Sequence, residues 1–388
     1  MDRLFESIND EVSTPVEGIV IGTVPEWLSG SLIRNGSAMF QIGECKYKHQ
    51  FDGLAAIQKF DINDGKVTYQ RKFVKSESYQ KNMSVNKIVV NEFGTPAYFP
   101  DPYNTAVSVW PLKDRLFAST ETNRIHEIDP ENLDTLDRTK IHIIDKKTGE
   151  EVNVAYTYQS SSCLVFHHGN AYEEDGFIVM DLCRFPDSKI LNTTYLSSYE
   201  TDKWKETMKN FPRSNLCRFI IPLNLDEKTP KSKNLVTLPN EKATAVLTEN
   251  NSVLLNPEFM SDIGFELCTI NYPKYNGVKY RYMYGCCSEK NCDLCLGTLA
   301  KFDVETRTYK TWKEEDRYPT EPIFAPNPDG TDEDDGVILA AIHSLVPGKN
   351  PFLLILDGKT FTEKARVEFP DLRFVKDIHG MFRAKPKD

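Results

Sequence analysis

The stretch AAIQKFDINDGKVTYQRKFV, residues 55–74, decides the fold class of this chain. Apolar and polar residues alternate before and after Asp64 and Gly65, and an Asp-Gly pair suits the positive backbone φ angles of a tight turn. Alternation with a period of two is typical of a strand with one buried face. The stretch therefore predicts an antiparallel hairpin, with strands at 55–60 and 67–74 around a turn at 61–65.

The same pattern, an apolar run that ends in aspartate before a polar turn, recurs along the chain. The further copies are residues 116–119 with 125–129, 141–145 before 146–149, 299–303 running on to 309–312, and 353–357 running on to 365–368. Repeated antiparallel hairpins with few helical patterns favour an all-β fold, and a β-propeller best protects the edges of so many strands. A sandwich and a barrel remain alternatives. One helix is predicted, at 197–210.

The spacing of the hairpin aspartates is irregular. They stand at Asp61, Asp129, Asp145, Asp303 and Asp357. A propeller blade needs about 40 to 50 residues, yet the second and third aspartates are only sixteen apart. Either one of these two hairpins is not part of a blade, or the material between them has been lost.

Composition and charge restrict the functional class. With 40% hydrophobic and 27% charged residues, the 388-residue chain has the composition of a globular protein. Its net charge of −10 repels a phosphate backbone and argues against nucleic-acid binding. The first residues have neither the basic start nor the apolar run of a signal peptide, and no stretch is long and apolar enough for a membrane-spanning helix. These features predict a cytoplasmic protein.

Nine cysteines, an odd number, fit reduced thiols better than a disulfide framework. Cys286, Cys287, Cys292 and Cys295 fall within ten residues and raise the alternative of a zinc site. Structural zinc ligands usually come as two pairs separated by a longer loop, so free thiols are the preferred interpretation.

Short motifs in a fixed order relate the chain to a known family. They are PEWLSGSLIRNG at 25–36, HQFDG at 49–53, Glu121-Thr122-Asn123, Phe166-His167-His168, Phe265-Glu266, YPTEPIF at 318–324 and His379-Gly380. Each motif alone is weak, but the ordered set resembles the carotenoid cleavage oxygenases from near the first residue to near the last. The resemblance implies one domain over residues 1–388, built as a seven-bladed β-propeller with a helical cap.

The resemblance also implies a ferrous ion on the propeller axis, held by four histidines that are backed by three glutamates. His167 and His379 match the third and fourth of these histidines, and Glu121, Glu266 and Glu321 match the glutamates. Neutral imidazoles suit Fe(II), and a carboxylate that accepts the second N–H of an imidazole fixes its tautomer. His168, Arg34, Asn35 and Asp52 are interpreted as structural residues.

The first and second family histidines have no counterpart here. The chain has only seven histidines, and the two in the interval of the missing ligands, His126 and His142, lie in strands that match flanking sequence. The flanking matches place a lost segment near Arg138 and Thr139, on the order of a hundred residues, or two or more blades. A shorter gap after Asn104 falls where the family carries an apolar patch that dips into a membrane leaflet.

The leading hypothesis is a carotenoid or retinoid cleavage dioxygenase, in which Fe(II) and O2 split a polyene double bond into aldehydes or ketones without a protein nucleophile. With half of the ligands missing, we expect low or no activity. The family also implies peripheral contact with a membrane. One alternative is a non-catalytic propeller that binds a lipophilic ligand or a protein partner. Another is an isomerohydrolase acting on retinyl esters, which Tyr103 in place of an expected cysteine disfavours.

Overall fold

The computed structural model of the chain describes residues 2–96, 108–112, 115–119, 125–128, 138–200, 203–288 and 296–385. Strands dominate these ranges. Several residues singled out from the sequence lie outside them: Tyr103, Glu121, Asp129, Cys292 and Cys295.

The first seven strands are β1 Val12–Glu17, β2 Ile19–Gly22, β3 Gly30–Met39, β4 Gln41–Ile42, β5 Cys45–Lys46, β6 Leu54–Asn63 and β7 Lys66–Phe73. The next ten are β8 Ser108–Leu112, β9 Arg115–Ser119, β10 Ile125–Ile128, β11 Arg138–Ile141, β12 Thr157–Ser161, β13 Leu164–Glu174, β14 Phe177–Phe185, β15 Asn215–Pro222, β16 Thr244–Leu247 and β17 Ser252–Asn256. The last ten are β18 Glu258–Thr269, β19 Tyr282–Ser288, β20 Thr298–Asp303, β21 Thr308–Trp312, β22 Arg317–Pro319, β23 Ile323–Pro326, β24 Gly336–Ser344, β25 Phe352–Asp357, β26 Glu363–Glu368 and β27 Lys376–Ala384.

These strands form mostly antiparallel sheets. The larger ones are ordered β1-β7-β6-β3-β27, β10-β9-β8, β11-β12-β17-β16, β13-β14-β15-β18-β19-β20-β21 and β2-β26-β25-β24-β22, with β23 also paired to β24. The pairing of β12 with β17 is parallel. The last strand, β27, lies beside β3, so the two ends of the chain are joined in one sheet.

Hydrophobic clusters pack these sheets face to face in succession. Phe60 and Leu353 belong to one cluster between the five-stranded and six-stranded sheets. A second cluster joins the six-stranded sheet to β19 and β20. A third packs the two halves of the seven-stranded sheet against each other, and a fourth packs β14 and β15 against β16 and β17. This stacking of layers is the arrangement expected of propeller blades. The number of blades stays a prediction.

The predicted hairpins are largely confirmed. The hairpin that opens the sequence pattern is β6–β7, and Asp64 and Gly65 in its turn have φ values of 50° and 74°. β9 pairs with β10, β20 with β21, and β25 with β26. The copy at 141–149 is smaller than predicted, because only an isolated bridge between Ile144 and Glu151 flanks its turn.

The aspartate at the end of the strand has a common role in three of the turns. The Oδ1 atoms of Asp145, Asp303 and Asp357 each accept hydrogen bonds from the backbone N–H groups two and three residues later. The residue four positions on, Gly149, Arg307 or Phe361, has a positive φ and donates its N–H to the aspartate carbonyl. The recurring aspartate is therefore a turn former, as Asx side chains often are.

The helical prediction is only partly right. Residues 197–210 do not form one helix: a 3₁₀ turn at Leu196–Tyr199 precedes a short helix, α3, at Trp204–Lys209. The other helices are α1 Glu77–Val85, α2 Lys189–Thr193 and α4 Tyr272–Tyr275, and a 3₁₀ turn covers Asp2–Phe5. α1 was not predicted, although Ser76 caps it by accepting from the N–H of Tyr79. No helix of the described ranges has the length and apolar character needed to span a lipid bilayer.

Candidate metal centre

Two sheets bring His167 and His379 together. His167 lies on β13 and His379 on β27, 212 residues apart in the chain, yet their Nε2 atoms are 3.2 Å apart. The ring centroids are separated by 5.0 Å. Both side chains line one cavity, where 20% of the His167 side chain and 57% of the His379 side chain is exposed. Of the residues proposed from the sequence, these two histidines meet as expected.

A buried glutamate backs each histidine on the other side of its ring. Glu266, on β18, contacts Nδ1 of His167 through Oε2, and Glu321, between β22 and β23, lies 2.9 Å from Nδ1 of His379 through Oε1. The two glutamates are only 4% and 7% exposed. A carboxylate beside Nδ1 holds the proton on that nitrogen and leaves the lone pair on Nε2. The structure thus places Glu266 and Glu321 beside the two histidines, their role behind a metal ion stays a prediction, and Glu121 lies outside the described residues.

The arrangement of the two imidazoles favours a cation between them. Two Nε2 lone pairs that face each other at 3.2 Å repel unless a proton or a metal ion lies between them. Nitrogen ligands lie about 2.0–2.1 Å from a divalent ion such as zinc, so two ligands of one ion have a separation of this size. The pair therefore fits two neighbouring positions of one metal ion.

The described ranges show no larger cluster of metal-ligating side chains. They contain no group of three or more histidine, cysteine, aspartate or glutamate side chains in a metal-binding arrangement. One polar atom at the pair has no hydrogen-bond partner in this part of the chain, the buried Oε1 of Glu266. A buried carboxylate oxygen without a partner is unusual in a folded protein and is a feature of sites that bind an ion or water.

Arg34 supports the His379 side of the pair. This arginine, 1% exposed, donates from Nη1 to Oε2 of Glu321 at 2.7 Å and from Nε to Oδ1 of Asp377 at 2.9 Å. Burial opposes its charge, but Asp377 and Glu321 together raise the pKa of Arg34 above its ordinary value. Glu321 Oε2 also accepts the N–H of Gly380 at 3.1 Å. Arg34 is thus a positioning residue, whereas the sequence analysis treated it as scaffold.

A signal for Arg34 was present in the sequence. In β3 it falls in register with Leu32, on the face that is buried, and a buried arginine requires carboxylate partners. The identity of those carboxylates depends on tertiary contacts, because Glu321 and Asp377 lie 287 and 343 positions further along the chain than Arg34. Asp52 is structural as predicted, since it accepts from the N–H of Gly94 and from Thr95 Oγ1.

The hydrogen bond that His379 donates to Glu321 also affects the charge of this histidine. It raises the pKa of His379 above the ordinary value, against the opposing effect of burial. His168, next to His167, does not line the cavity, and its pKa is lowered by burial and by His167. This agrees with the prediction that His168 is structural.

The remaining described histidine side chains lie elsewhere. His49 is buried with Nε2 at 2.6 Å from Thr194 Oγ1, and it accepts the N–H of Phe51 on Nδ1. His343 is buried with its ring near that of Phe374, and His142 pairs with Glu151 at the surface. Cys286 and Cys287 are buried and form no disulfide with another described residue, while the choice between thiols and a zinc site stays a prediction because Cys292 and Cys295 lie outside the described ranges.

The cavity beside the histidines has a volume of about 250 Å³. Its apolar wall includes Phe166, Phe185, Phe211, Leu267 and Tyr318. Leu267 follows Glu266 directly and has a φ of 53°, a left-handed backbone conformation that few residues other than glycine adopt. A small number of polar groups on an apolar wall is the usual composition of a site for an apolar ligand.

Comparison with known proteins places this geometry in context. The model of the retinal pigment epithelial membrane protein (RPE65) family matches residues 5–141 and 137–384. Human β,β-carotene 15,15′-dioxygenase is 30% identical over 526 residues, covering 98% of this chain and 94% of that protein. The carotenoid isomerooxygenase of Galleria mellonella is 28% identical, covering 97% of this chain and 95% of that protein.

Solved structures are similar in fold. Cobalt-substituted apocarotenoid oxygenase of Synechocystis superposes with a TM-score of 0.71 at 19% identity, covering 98% of this chain and 97% of that chain. A variant of the same oxygenase gives a TM-score of 0.72 and covers 99% and 98%. At this level of identity the likeness concerns the fold alone.

The family model matches in two segments that meet at residues 137–141, where β11 begins at Arg138. The alignment with the human dioxygenase is 526 residues long, whereas this chain has 388, so at least 138 aligned positions have no residue here. The sequence analysis placed a lost segment at the same point.

Proposed function

The chain belongs to the carotenoid cleavage oxygenase family, and we propose that its cavity is the remnant of a non-haem iron site for oxidative cleavage of a polyene. The observation that carries the proposal is the pair of Nε2 atoms, 3.2 Å apart, with a buried glutamate behind each ring. In the proposal His167 and His379 hold Fe(II), and Glu266 and Glu321 hold the tautomers of these histidines. Glu121 is proposed as the third such glutamate.

Each described group has a defined task in this scheme. The bound metal supplies the dioxygen chemistry that splits the double bond into two carbonyl groups. Glu266 and Glu321 keep the Nδ1 protons in place, and Arg34 keeps Glu321 in place. The aromatic wall binds and orients an apolar carotenoid or retinoid and excludes water from the histidines. No protein nucleophile is required.

We further propose that this chain has low or no turnover. Two histidine ligands hold iron much more weakly than four, because each lost ligand removes one of the bonds that hold the ion. The two-segment family match at 137–141 and the length of the alignment with the human dioxygenase support a lost segment of roughly a hundred residues near Arg138 and Thr139. The segment would carry the first two ligands.

Metal analysis tests the proposal directly. Purified protein is incubated with Fe(II) without oxygen, dialysed and assayed for iron and for cleavage of β-carotene. We expect iron well below one per chain, a further loss in His167→Ala and in His379→Ala, and no effect of His142→Ala, which alters a surface histidine. Stoichiometric iron together with β-carotene cleavage would refute low turnover. Equal iron in all four proteins would refute the assignment of the two ligands.

A second candidate function is binding without catalysis. The incomplete ligand set and the apolar cavity favour it. Binding of a carotenoid that is unchanged by a strong chelator would support this function. Peripheral contact with a membrane stays a prediction, tested by flotation of the protein with lipid vesicles.

A further inference from the structure

Arg213 is a cationic residue that lines the cavity. It lies between α3 and β15 and is half-buried. Within the ranges that the structure describes, its guanidinium takes part in no hydrogen bond, ion pair or ring contact. The hydroxyl of the neighbouring Ser214 is not a partner of the guanidinium, because it donates to the carbonyl of Phe265 at 2.5 Å.

The other charged groups of the cavity already have partners. Glu266 is bound to His167, and Asp377 is bound to Arg34. Lys376 donates to Gln50 Oε1 at 3.3 Å. The acidic groups on the wall are therefore bound to residues other than Arg213.

Arg213 also lies close to the proposed metal site along the sheet. Asn215 is opposite Gly264 in the pairing of β15 with β18, and Glu266 is two residues further along β18. A Cβ built on Gly264 would lie 3.4 Å from the Cβ of Arg213. The arginine thus lies two residues before β15, the strand next to the one that carries Glu266.

The chemistry of a guanidinium indicates the missing partner. It presents five N–H donors and has no acceptor, and an ionised group in apolar surroundings is unfavourable unless it is paired. The planar fork of arginine matches the two oxygens of a carboxylate better than any other common group. A ligand with a carboxylate at one end of an apolar chain satisfies both Arg213 and the aromatic wall.

We propose that the cavity binds an elongated apolar molecule by its terminal carboxylate, which pairs with Arg213. This rests on the proposed function, and it narrows the ligand from hydrocarbons and alcohols to acids. The volume agrees: about 250 Å³ is less than the ~300–1,000 Å³ of pockets that bury a whole small ligand, so the cavity holds one end of a longer one. A polyene acid and a saturated fatty acid share this chemistry.

Four probes distinguish the possibilities: retinoic acid, retinol, stearic acid and stearyl alcohol. Binding is measured by equilibrium dialysis at low salt in the presence of a chelator, so that a carboxylate cannot bind through a metal. We expect the acids to bind about tenfold tighter than the matching alcohols, the size of one charge-assisted pair. A preference of retinoic acid over stearic acid would identify a polyene acid, and the reverse a fatty acid.

The matched variants are Arg213→Gln and Arg383→Gln, the second removing an exposed arginine that does not line the cavity. Arg213→Gln is expected to lower the affinity for the acids about tenfold and to leave that for the alcohols unchanged. Arg383→Gln should change neither. Arg213→Lys, which keeps the charge but loses the fork, should retain part of the preference. Thermal unfolding confirms that each variant is folded.

Two results would overturn the inference. If acids and alcohols bind wild-type protein equally, or if Arg213→Gln keeps the preference for acids, Arg213 does not bind a carboxylate. If retinol still binds when either of these results is found, the proposed polyene site stands and only the role of Arg213 is refuted. Failure of all four probes to bind would count against the inference and the polyene site together.

Discussion

Arg34 joins two carboxylates, Glu321 and Asp377, beneath His379. All three groups are almost fully buried. Taking one member away from such a set leaves a charge in the interior without compensation, which costs more than the intact set contributes. At the scale of single residues, the position of His379 thus depends on a residue that does not touch it.

Arg34→Met should lower the free energy of unfolding by about 3–5 kcal/mol, because Glu321 and Asp377 lose their common partner. Urea unfolding at neutral pH measures this. The control is Lys59→Met, which removes one partner of the partly exposed Lys59–Asp61 pair and should cost no more than about 1 kcal/mol. Equal losses in the two variants would contradict the role given to Arg34.

His343 offers a test by pH. Burial lowers its pKa to about 4 from an ordinary value of 6.5, and its Nε2 has no hydrogen-bond partner in the described part of the chain. Between these two values the unfolded chain binds a proton that the folded chain does not. Stability is therefore lost as the pH falls from 6.5 towards 4, by about 3 kcal/mol for this residue.

His343→Leu should reduce the slope of unfolding free energy against pH in that interval. Urea unfolding of the parent and the variant between pH 4.5 and 7 provides the measurement. An unchanged slope in His343→Leu would show that this histidine is not held neutral by the fold.

At the scale of elements, β27 determines whether the site forms. It pairs with β3 from Lys376 to Ala384 and places His379 and Gly380 opposite Asn35 and Arg34. The two strands approach closely at Gly380, where a Cβ would lie 2.3 Å from the carbonyl oxygen of Ile33 and 2.5 Å from Cδ of Arg34. A larger residue cannot be accepted there without a shift of the strand.

Gly380→Ala should lower the free energy of unfolding by roughly 1–3 kcal/mol and weaken metal binding, since β27 must move relative to Arg34 and Glu321. Gly149→Ala is the control: its Cβ has open space, although its φ of 70° costs about 1–2 kcal/mol. Titration with Co(II), followed by its visible absorption, measures the metal affinity of both variants, and only Gly380→Ala should bind cobalt more weakly than the parent. Equal cobalt affinity in both variants would argue against this dependence on β27.

At the scale of the whole molecule, the sheets stack in succession, but the matches to the family break at β11. β11 is the edge strand of its sheet, and β10, the strand described before it, belongs to a different one. Loss of blades between them leaves strand edges without their usual neighbours, and such edges favour association with other chains. We therefore expect the chain as it stands to self-associate.

Insertion of the corresponding family segment at Thr139 should restore a monomer and raise the iron content towards one per chain. Size-exclusion chromatography with light scattering and metal analysis test both. A flexible glycine-serine segment of equal length, inserted at the same point, is the control, and it should change neither property. If the flexible segment also restored a monomer and the iron content, or if the family segment restored neither, the proposed deletion would be contradicted.

The sequence by itself determined the hairpins, because alternation and the aspartate turns act within ten to twenty residues. It also identified His167, His379, Glu266 and Glu321 as a set, through motifs that keep their order along the chain. Helix boundaries were less well determined: the thin apolar stripe at 197–210 predicted one helix, whereas two short segments each bury one residue, Tyr199 and Met208.

Only the tertiary structure decided which groups meet. The 3.2 Å distance between His167 and His379 arises from contact between sheets, and so do the partners of Arg34. The strands that meet in these contacts are hundreds of residues apart in the chain. Local patterns record which face of a strand is buried, but they carry no information on the distant side chain that covers that face. For this reason the kinds of residues at the site follow from the sequence, while their geometry follows from the packing of the sheets.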